Sequence, residues 1–520
     1  MIFGYRTVQA SRNAFPWGLS EGSATASVLL VYAAAHAALR LSFSGNFATD
    51  DAQAVLYLSH LRLVYTIYQP PLYEWLLWGF QQVFGISMAA ALALKGALLG
   101  AAAFFLYQTA RLVGGNRSVA SITVLAWSLF YQVGWNLLEG ATHTSMVLFS
   151  ASLTLFALLK AIADGRVLSY CLFTVGVAVG MLSKFSYPIF LMALIVTVLL
   201  TQGARTRLRL PFLALALATG CLASAPYFLA ILSQEGAALA LAGKMNRDVD
   251  TSIAGLLIGP QKTFIAYFLY SLAFLPVFAL FFARDLPLKR LWKGVPASDQ
   301  GGGPPFDGAH FCLRLFFVCG VIVAFGAFVF GLDNIKERHL HPFFLPLPIA
   351  LFAMLPVAPS ILRKFRPLRL VILIVAVGIF AVRFVTFAFP DEAICGRCRE
   401  RIPYAGLAEA LKHQPGVNLI IAEDLYTAAN LKRLLPGSTI INPLINREMR
   451  GEIDALNNPQ ACLLITGPES TSNQDVKSAV TIPWRGLGGA TLERSSRWSV
   501  KAVTSADGVR GCLANTKPEE

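Results

Sequence analysis

Two adjacent carboxylates, Asp50 and Asp51, follow the first apolar run of the chain and open a loop rich in aromatic residues. A carboxylate held at such an edge can act as a general base, taking a proton from a hydroxyl as its oxygen attacks. The same pair can equally be the solvated end of a loop. Further along, Leu56-Tyr57-Leu58-Ser59-His60 precedes Tyr68-Gln69-Pro70-Pro71-Leu72-Tyr73-Glu74-Trp75. Paired prolines break a helix and aromatic rings suit the headgroup region, so this loop reads as short helices lying on a membrane surface. A second turn, from Trp135 to Thr144, adds Glu139 and His143, which can position a reactant or cap a helix. Cations stand at two further places: Lys184 interrupts a long apolar run, and Lys336, Arg338 and His339 sit at the mouth of another.

The elements that must hold these residues are membrane helices. Of 520 residues, 56% are hydrophobic and 14% charged, whereas soluble domains carry about 25% charged residues. Apolar runs lie near 24–43, 87–110, 118–137, 145–163, 168–202, 211–232, 264–282, 313–331, 342–356 and 370–389. The run at 168–202 is too long for one crossing of a roughly 30 Å core and is broken at Lys184 and Pro188, so it reads as two short helices. The expectation is therefore an α-helical polytopic membrane protein of about eleven transmembrane helices. Ala33, Ala34 and Ala35 imitate a signal-peptide cleavage site, but the length of the first run and the spans after it favour an uncleaved anchor.

The net charge of +14 is placed asymmetrically. Basic residues gather in loops at Arg111 and Arg117, Lys160 and Arg166, Arg205 to Arg209, Arg284 to Lys293, and Arg363 to Arg369, with Arg6 and Arg12 before the first run. The positive-inside rule puts these loops and the N-terminus in the cytoplasm of an inner (plasma) membrane protein, and the loop at 44–86 outside. No interleaved basic and aromatic surface points to nucleic acid.

After residue 389 the composition turns globular. A helical pattern at Tyr404 to His413, a strand at Val417 to Ala422, a helix at Leu425 to Leu435 and strand-like runs at 438–442 and 461–466 predict a small extracytoplasmic (periplasmic) α/β domain over 390–520, beside a transmembrane domain over 1–389. Cys395, Cys398, Cys462 and Cys512 lie in it, and an even set in an oxidising compartment favours disulfides, although the Cys395-Gly-Arg-Cys398 spacing also fits a redox motif or half a zinc site. No phosphate loop, serine triad or clear metal set appears there.

Asp50-Asp51-Ala52 with Tyr68-Gln69-Pro70-Pro71-Leu72-Tyr73, then Gly180-Met181-Leu182-Ser183-Lys184-Phe185, then Lys336-Glu337-Arg338-His339 before Pro342, Pro346 and Pro348, together resemble the polytopic GT-C glycosyltransferases of the protein mannosyltransferase and aminoarabinose transferase superfamily. The likeness spans roughly residues 24–356. It implies a glycosyltransferase that moves a sugar from a polyprenyl-phosphate donor to a lipid (lipid A or lipopolysaccharide), glycan or protein acceptor, inverting the anomeric centre, with Asp50 or Asp51 as base and a slight lean to Asp50. A departing lipid phosphate needs fixed cations at headgroup depth, a role for Lys184, Lys336 and Arg338. His339, Glu139, His143, Gln69, Tyr68 and Tyr73 complete the expected substrate-binding set, and Tyr57 and Trp75 would join the tyrosines along the sugar or lipid route. The scheme requires no cofactor, although the aspartate pair could help hold Mg²⁺ or Mn²⁺. Two departures stand out: relatives often carry Asp where this chain offers Glu139 and His143, and the aminoarabinose transferases place Lys where this chain has Gln69, which leaves a hexose or uronic acid donor open.

Two other readings compete. A transporter or lipid-linked sugar flippase also needs many spans, but its polar groups lie near the bilayer midplane, and here only Lys95 is clearly embedded, with Arg40, Arg314 and Arg383 near run ends. Were the C-terminal domain alone functional, one or two anchoring helices would suffice.

Overall fold

The computed structural model describes residues 21–58, 60–136, 140–234, 253–287, 306–395, 398–414, 416–446, 461–467, 479–485 and 491–504, with Gly236 and Gly243. Arg6, Arg12, Ser59, Glu139, Lys289, Arg290, Lys293 and Cys512 lie outside the described residues.

Each apolar run becomes helix. The first is α1 (Glu21–Phe43), and the loop after it holds α2 (Thr49–Tyr57) and α3 (Leu72–Phe84). Next come α4 (Met88–Gly114), α5 (Arg117–Trp127) with a π-helical turn at Gln132–Asn136, and α6 (Thr142–Asp164). The long run divides into α7 (Val167–Met181) and α8 (Ser186–Leu200), with Lys184 in the turn between them. Beyond α9 (Leu210–Leu232), α10 (Ile253–Ser271) and α11 (Phe274–Phe282) meet at a bend of 57°. The set closes with α12 (Gly308–Val329), two 3-10 turns at Glu337–His339 and His341–Phe344, α13 (Pro346–Met354) and α14 (Pro359–Ala388).

Among the described residues, six helices are long and apolar enough to cross a membrane, or seven if the bent pair is one span. The expected eleven is not the number these helices give. Four shorter ones make up the difference: α5 has 11 residues, α7 and α8 have 15 each and α13 has 9, the longest of them roughly 22 Å of helix against a hydrocarbon core of about 30 Å.

In lipid, apolar burial does not drive helices together, so close packing of small side chains must. Ala90, Ala91 and Ala102 on α4 and Ala151, Ala157 and Ala161 on α6 are all buried, and α6 is the most enclosed of the long helices. Peripheral helices instead turn large apolar residues outward, such as Val31, Leu232, Phe325 and Ile374.

The C-terminal unit contains α15 (Tyr404–Leu411), β1 (Leu419–Ala422), α16 (Leu425–Leu434), β2 (Thr439–Ile441), β3 (Ala461–Thr466), β4 (Ala479–Arg485) and β5 (Thr491–Thr504). Its sheet order is β2-β1-β3-β5-β4, with β1 parallel to β2 and β3, and β5 antiparallel to β3 and β4. Cys395 is bonded to Cys398, and Cys462 is also disulfide-bonded. The unit shares one hydrophobic core with the first loop: Phe47, Ala52, Val55, Tyr73 and Leu77 cluster with Tyr404, Leu407, Leu431 and Trp498. Loop and unit therefore occupy one face of the helical body. At the other end of α1, Glu21 meets Arg369 of a basic loop at 3.6 Å.

Candidate active site

The acidic pair opens α2. Thr49 has φ 50°, a left-handed conformation rare for a β-branched residue and characteristic of sites held by their surroundings. Gly140 of the second turn presses against it so closely that a Cβ there would stand 2.2 Å from Thr49 Oγ1. Successive helical residues point about 100° apart, and the two carboxylates consequently separate. Asp51 turns inward and is 1% exposed, whereas Asp50 is exposed.

Asp51 Oδ2 accepts from Lys95 Nζ at 2.7 Å, with both side chains 1% exposed. Lys95 lies roughly 10 Å along α4 from its first residue, near the site end of that helix and not midway. Among the described residues, Asp51 Oδ1 has no hydrogen-bond partner. Burial pushes the Asp51 carboxyl above its usual range, and Lys95 opposes that shift. The buried Tyr73 hydroxyl is raised well above its ordinary value, first by burial and then by the charges of Asp51, Glu74 and Asp50.

Lys184 faces this group from the turn between α7 and α8. That turn closes tightly because Gly180 lies against the Tyr187 ring, where any Cβ would collide at 2.0 Å. Tyr187 in turn donates to the Gly176 carbonyl at 3.0 Å. The Leu72 amide donates to the Leu182 carbonyl at 3.3 Å, tying the paired-proline segment to the same turn. Lys184 Nζ donates to Thr144 Oγ1 at 2.8 Å. Burial lowers its pKa to about 8, with Asp50 raising and Arg338 lowering it. The charges of Asp50 and Arg338 therefore both act on Lys184.

Lys336 and Arg338 are exposed on the 3-10 turn, and His339 Nδ1 accepts from the Lys336 amide at 3.4 Å. His341 supports this mouth from beneath: its Nδ1 lies 3.0 Å from the Arg338 carbonyl, and its ring meets Tyr270 edge-on at 5.5 Å. A second buried pair stands beside the aspartates, with His143 Nε2 3.1 Å from Glu74 Oε2. Gln69 bridges to Thr66 through the backbone, and the Tyr68 amide donates to Thr66 Oγ1 at 3.2 Å. Of the aromatics expected along the sugar or lipid route, Tyr57 and Tyr73 are buried in the core, while Tyr68 and Trp75 are half-buried. Among the described residues no three His, Cys, Asp or Glu gather to hold a metal ion. With Lys95 on one oxygen of Asp51, a divalent ion shared by the aspartates would compete with an ammonium group.

Three site residues escaped sequence reasoning: Glu74 as the partner of His143, Lys95 as the partner of Asp51, and His341. A charge embedded in an apolar run demands a counter-ion, and that signal could have found Lys95.

A family model described as dolichyl-phosphate-mannose-protein mannosyltransferase matches residues 68–229, which include Gln69, His143 and Lys184. Lipopolysaccharide core galacturonosyltransferase RgtB of Rhizobium johnstonii is 26% identical over 422 residues, covering 80% of this chain and 82% of that protein. RgtA of the same organism, also a lipopolysaccharide core galacturonosyltransferase, is 27% identical over 436 residues, covering 81% and 82%. The crystal structure of ArnT from Cupriavidus metallidurans bound to undecaprenyl phosphate superposes with a TM-score of 0.58 and 13% identity, over 94% of this chain and 99% of that chain. The chain resembles the GT-C glycosyltransferases. Its fold is GT-C-like, a polytopic helical body with a small C-terminal sheet region. The matches together support a membrane glycosyltransferase of the GT-C type. The family-model match begins at Tyr68 and ends at Leu229, so Asp50, Asp51 and the Lys336–His339 segment rest on geometry.

Proposed function

We propose that this protein transfers a sugar of the uronic acid class from a polyprenyl-phosphate donor to a lipopolysaccharide core acceptor, at the face that carries the C-terminal unit. What supports the reading is that the turn carrying Lys184 is tied to the first loop through Leu72 and Leu182, and that the charges of solvent-accessible Asp50 and of Arg338 both act on Lys184. The names of the two rhizobial relatives support the sugar and acceptor classes, and the undecaprenyl phosphate bound by ArnT supports the donor class. By the positive-inside rule this face is periplasmic and the membrane is the inner one.

In this scheme Asp50 takes the proton of an acceptor hydroxyl while that oxygen forms the new bond to the anomeric carbon. The bond from that carbon to the phosphate oxygen breaks, and the electron pair leaves with the lipid phosphate. Lys184, Lys336 and Arg338 meet the charge that develops there. One-step displacement inverts the anomeric centre. Asp51 does not serve as base, because its carboxylate is buried on Lys95. No step is routed through a metal ion.

The test is transfer in nanodiscs from polyprenyl-phosphate galacturonic acid to purified lipopolysaccharide core. Asp50→Asn lowers kcat by about 10²–10⁴-fold, the range a general base supplies, with thermal stability unchanged. Wild-type turnover by Asp50→Asn would remove the proposed base.

A further inference from the structure

The C-terminal unit has no part in the chemistry above, yet it grips the helix that carries Asp50. Helix α2 has only nine residues, far fewer than the ~12–15 at which an isolated helix becomes even marginally stable in water. Its fixed position must come from its contacts.

Those contacts reach both its ends from α16. Before α2, the buried Asn430 amide accepts from the Phe47 amide at 2.8 Å and donates to the Phe47 carbonyl at 3.0 Å. One side chain thereby satisfies both backbone groups of a residue three positions before Asp50. In the last turn, Lys432 Nζ donates to the Val55 carbonyl at 2.9 Å and the Leu56 carbonyl at 3.4 Å. An ammonium group there meets the negative end of the helix dipole. Arg433 donates to Asn46 Oδ1 at 3.1 Å, and Asn46 donates to the carbonyls of Glu400 and Ile402 at 3.0 and 2.8 Å. From the membrane side, Lys95 pulls on Asp51 at 2.7 Å. Helix α2 is thus held between a transmembrane helix beneath and the C-terminal unit above.

We infer that Asn430 and Lys432 are positioning residues, which act through the α2 backbone to hold Asp50 toward Lys184. The inference rests on the reading of Asp50 as base. It makes the C-terminal unit a clamp on the site, so that displacement of α16 would lower turnover with every catalytic side chain still present.

The test uses the full chain in nanodiscs, with hydrogen exchange and transfer kinetics measured on Asn430→Ala and Lys432→Met. Amides of residues 49–57 exchange about tenfold faster in both variants, while those of α6 keep their wild-type rates. Turnover falls by about the same factor with KM for the lipid donor unchanged, the pattern of a group that acts only on the transition state. Lys432→Arg, which keeps a cation at the carbonyl end of α2, recovers most of the turnover. Unchanged exchange in α2, or faster exchange with wild-type kcat, overturns the clamp. If a variant also loses protection in β3, the unit itself has unfolded, and the uncharged, polar Asn430→Ser then takes the test with the same two outcomes. Exchange is read without any sugar, so an active Asp50→Asn removes the base and leaves the clamp measurable, whereas slow α2 exchange in the two clamp variants removes the clamp alone.

Discussion

Replacing Lys95 with Met probes the pair beneath the site most directly. Asp51 and Lys95 are each 1% exposed and 2.7 Å apart, and Asp51 Oδ1 has no second partner. Losing one member of such a pair leaves a buried charge uncompensated and costs about 3–5 kcal/mol. The variant can reduce that cost by protonating Asp51, whose carboxyl is already pushed up by burial. With Lys95 gone, the folded-state pKa rises further above the unfolded value of about 3.9. The folded protein then keeps a proton that the unfolded chain releases, so the stability of the variant falls as pH rises from the unfolded pKa to the folded one, by up to about 1.4 kcal/mol per pH unit. Thermal unfolding of the purified protein between pH 4 and 8, read by tryptophan fluorescence, would show this as a melting temperature that falls with pH more steeply than in the wild type. Adding Asp51→Asn removes the stranded charge and should restore about 1–4 kcal/mol. A loss below about 1 kcal/mol, or one independent of pH, would refute the argument that burial makes this pair matter.

Two further outcomes concern the cations. Desolvation lowers the pKa of half-buried Lys184 to about 8, and only its charged form meets a phosphate, so kcat/KM for the lipid donor should fall as pH rises through about 8; Lys184→Arg, which stays charged, should lose that alkaline limb, and a limb that persists would clear Lys184 of the role. Arg338→Ala should raise KM for the lipid donor by about tenfold, the loss of one charge-assisted contact, and leave acceptor KM unchanged; the opposite split would reassign Arg338 to the acceptor.

Much of the fold was legible because hydropathy is a local property. The break at Lys184 and Pro188 marked two short helices: α7 ends and α8 begins on either side of Lys184, and Pro188 falls in the first turn of α8. In the C-terminal unit, Tyr404 to Thr466 displayed its helices and first three strands as apolar runs. The last two strands were missed: Pro483 argued against a strand in β4, and charged Glu493, Arg494, Arg497 and Lys501 masked the alternation of Trp498, Val500 and Ala502 in β5. Their pairing with β3 and with each other makes them strands.

The candidate site divides in the same way. The sequence by itself determined that lipid is the solvent, where the helices run, and which residue types stand at the helix mouths, because each follows from neighbours a few positions away. Only tertiary structure decided that Asp51 is locked on Lys95, 44 residues along the chain, while Asp50 stays open. The same holds for Glu74 meeting His143 and for α16 lying across α2. The physical reason is that a carboxylate acts as a base or as a buried counter-ion according to which cation and how much water surround it. Those surroundings are assembled from segments that no local pattern connects.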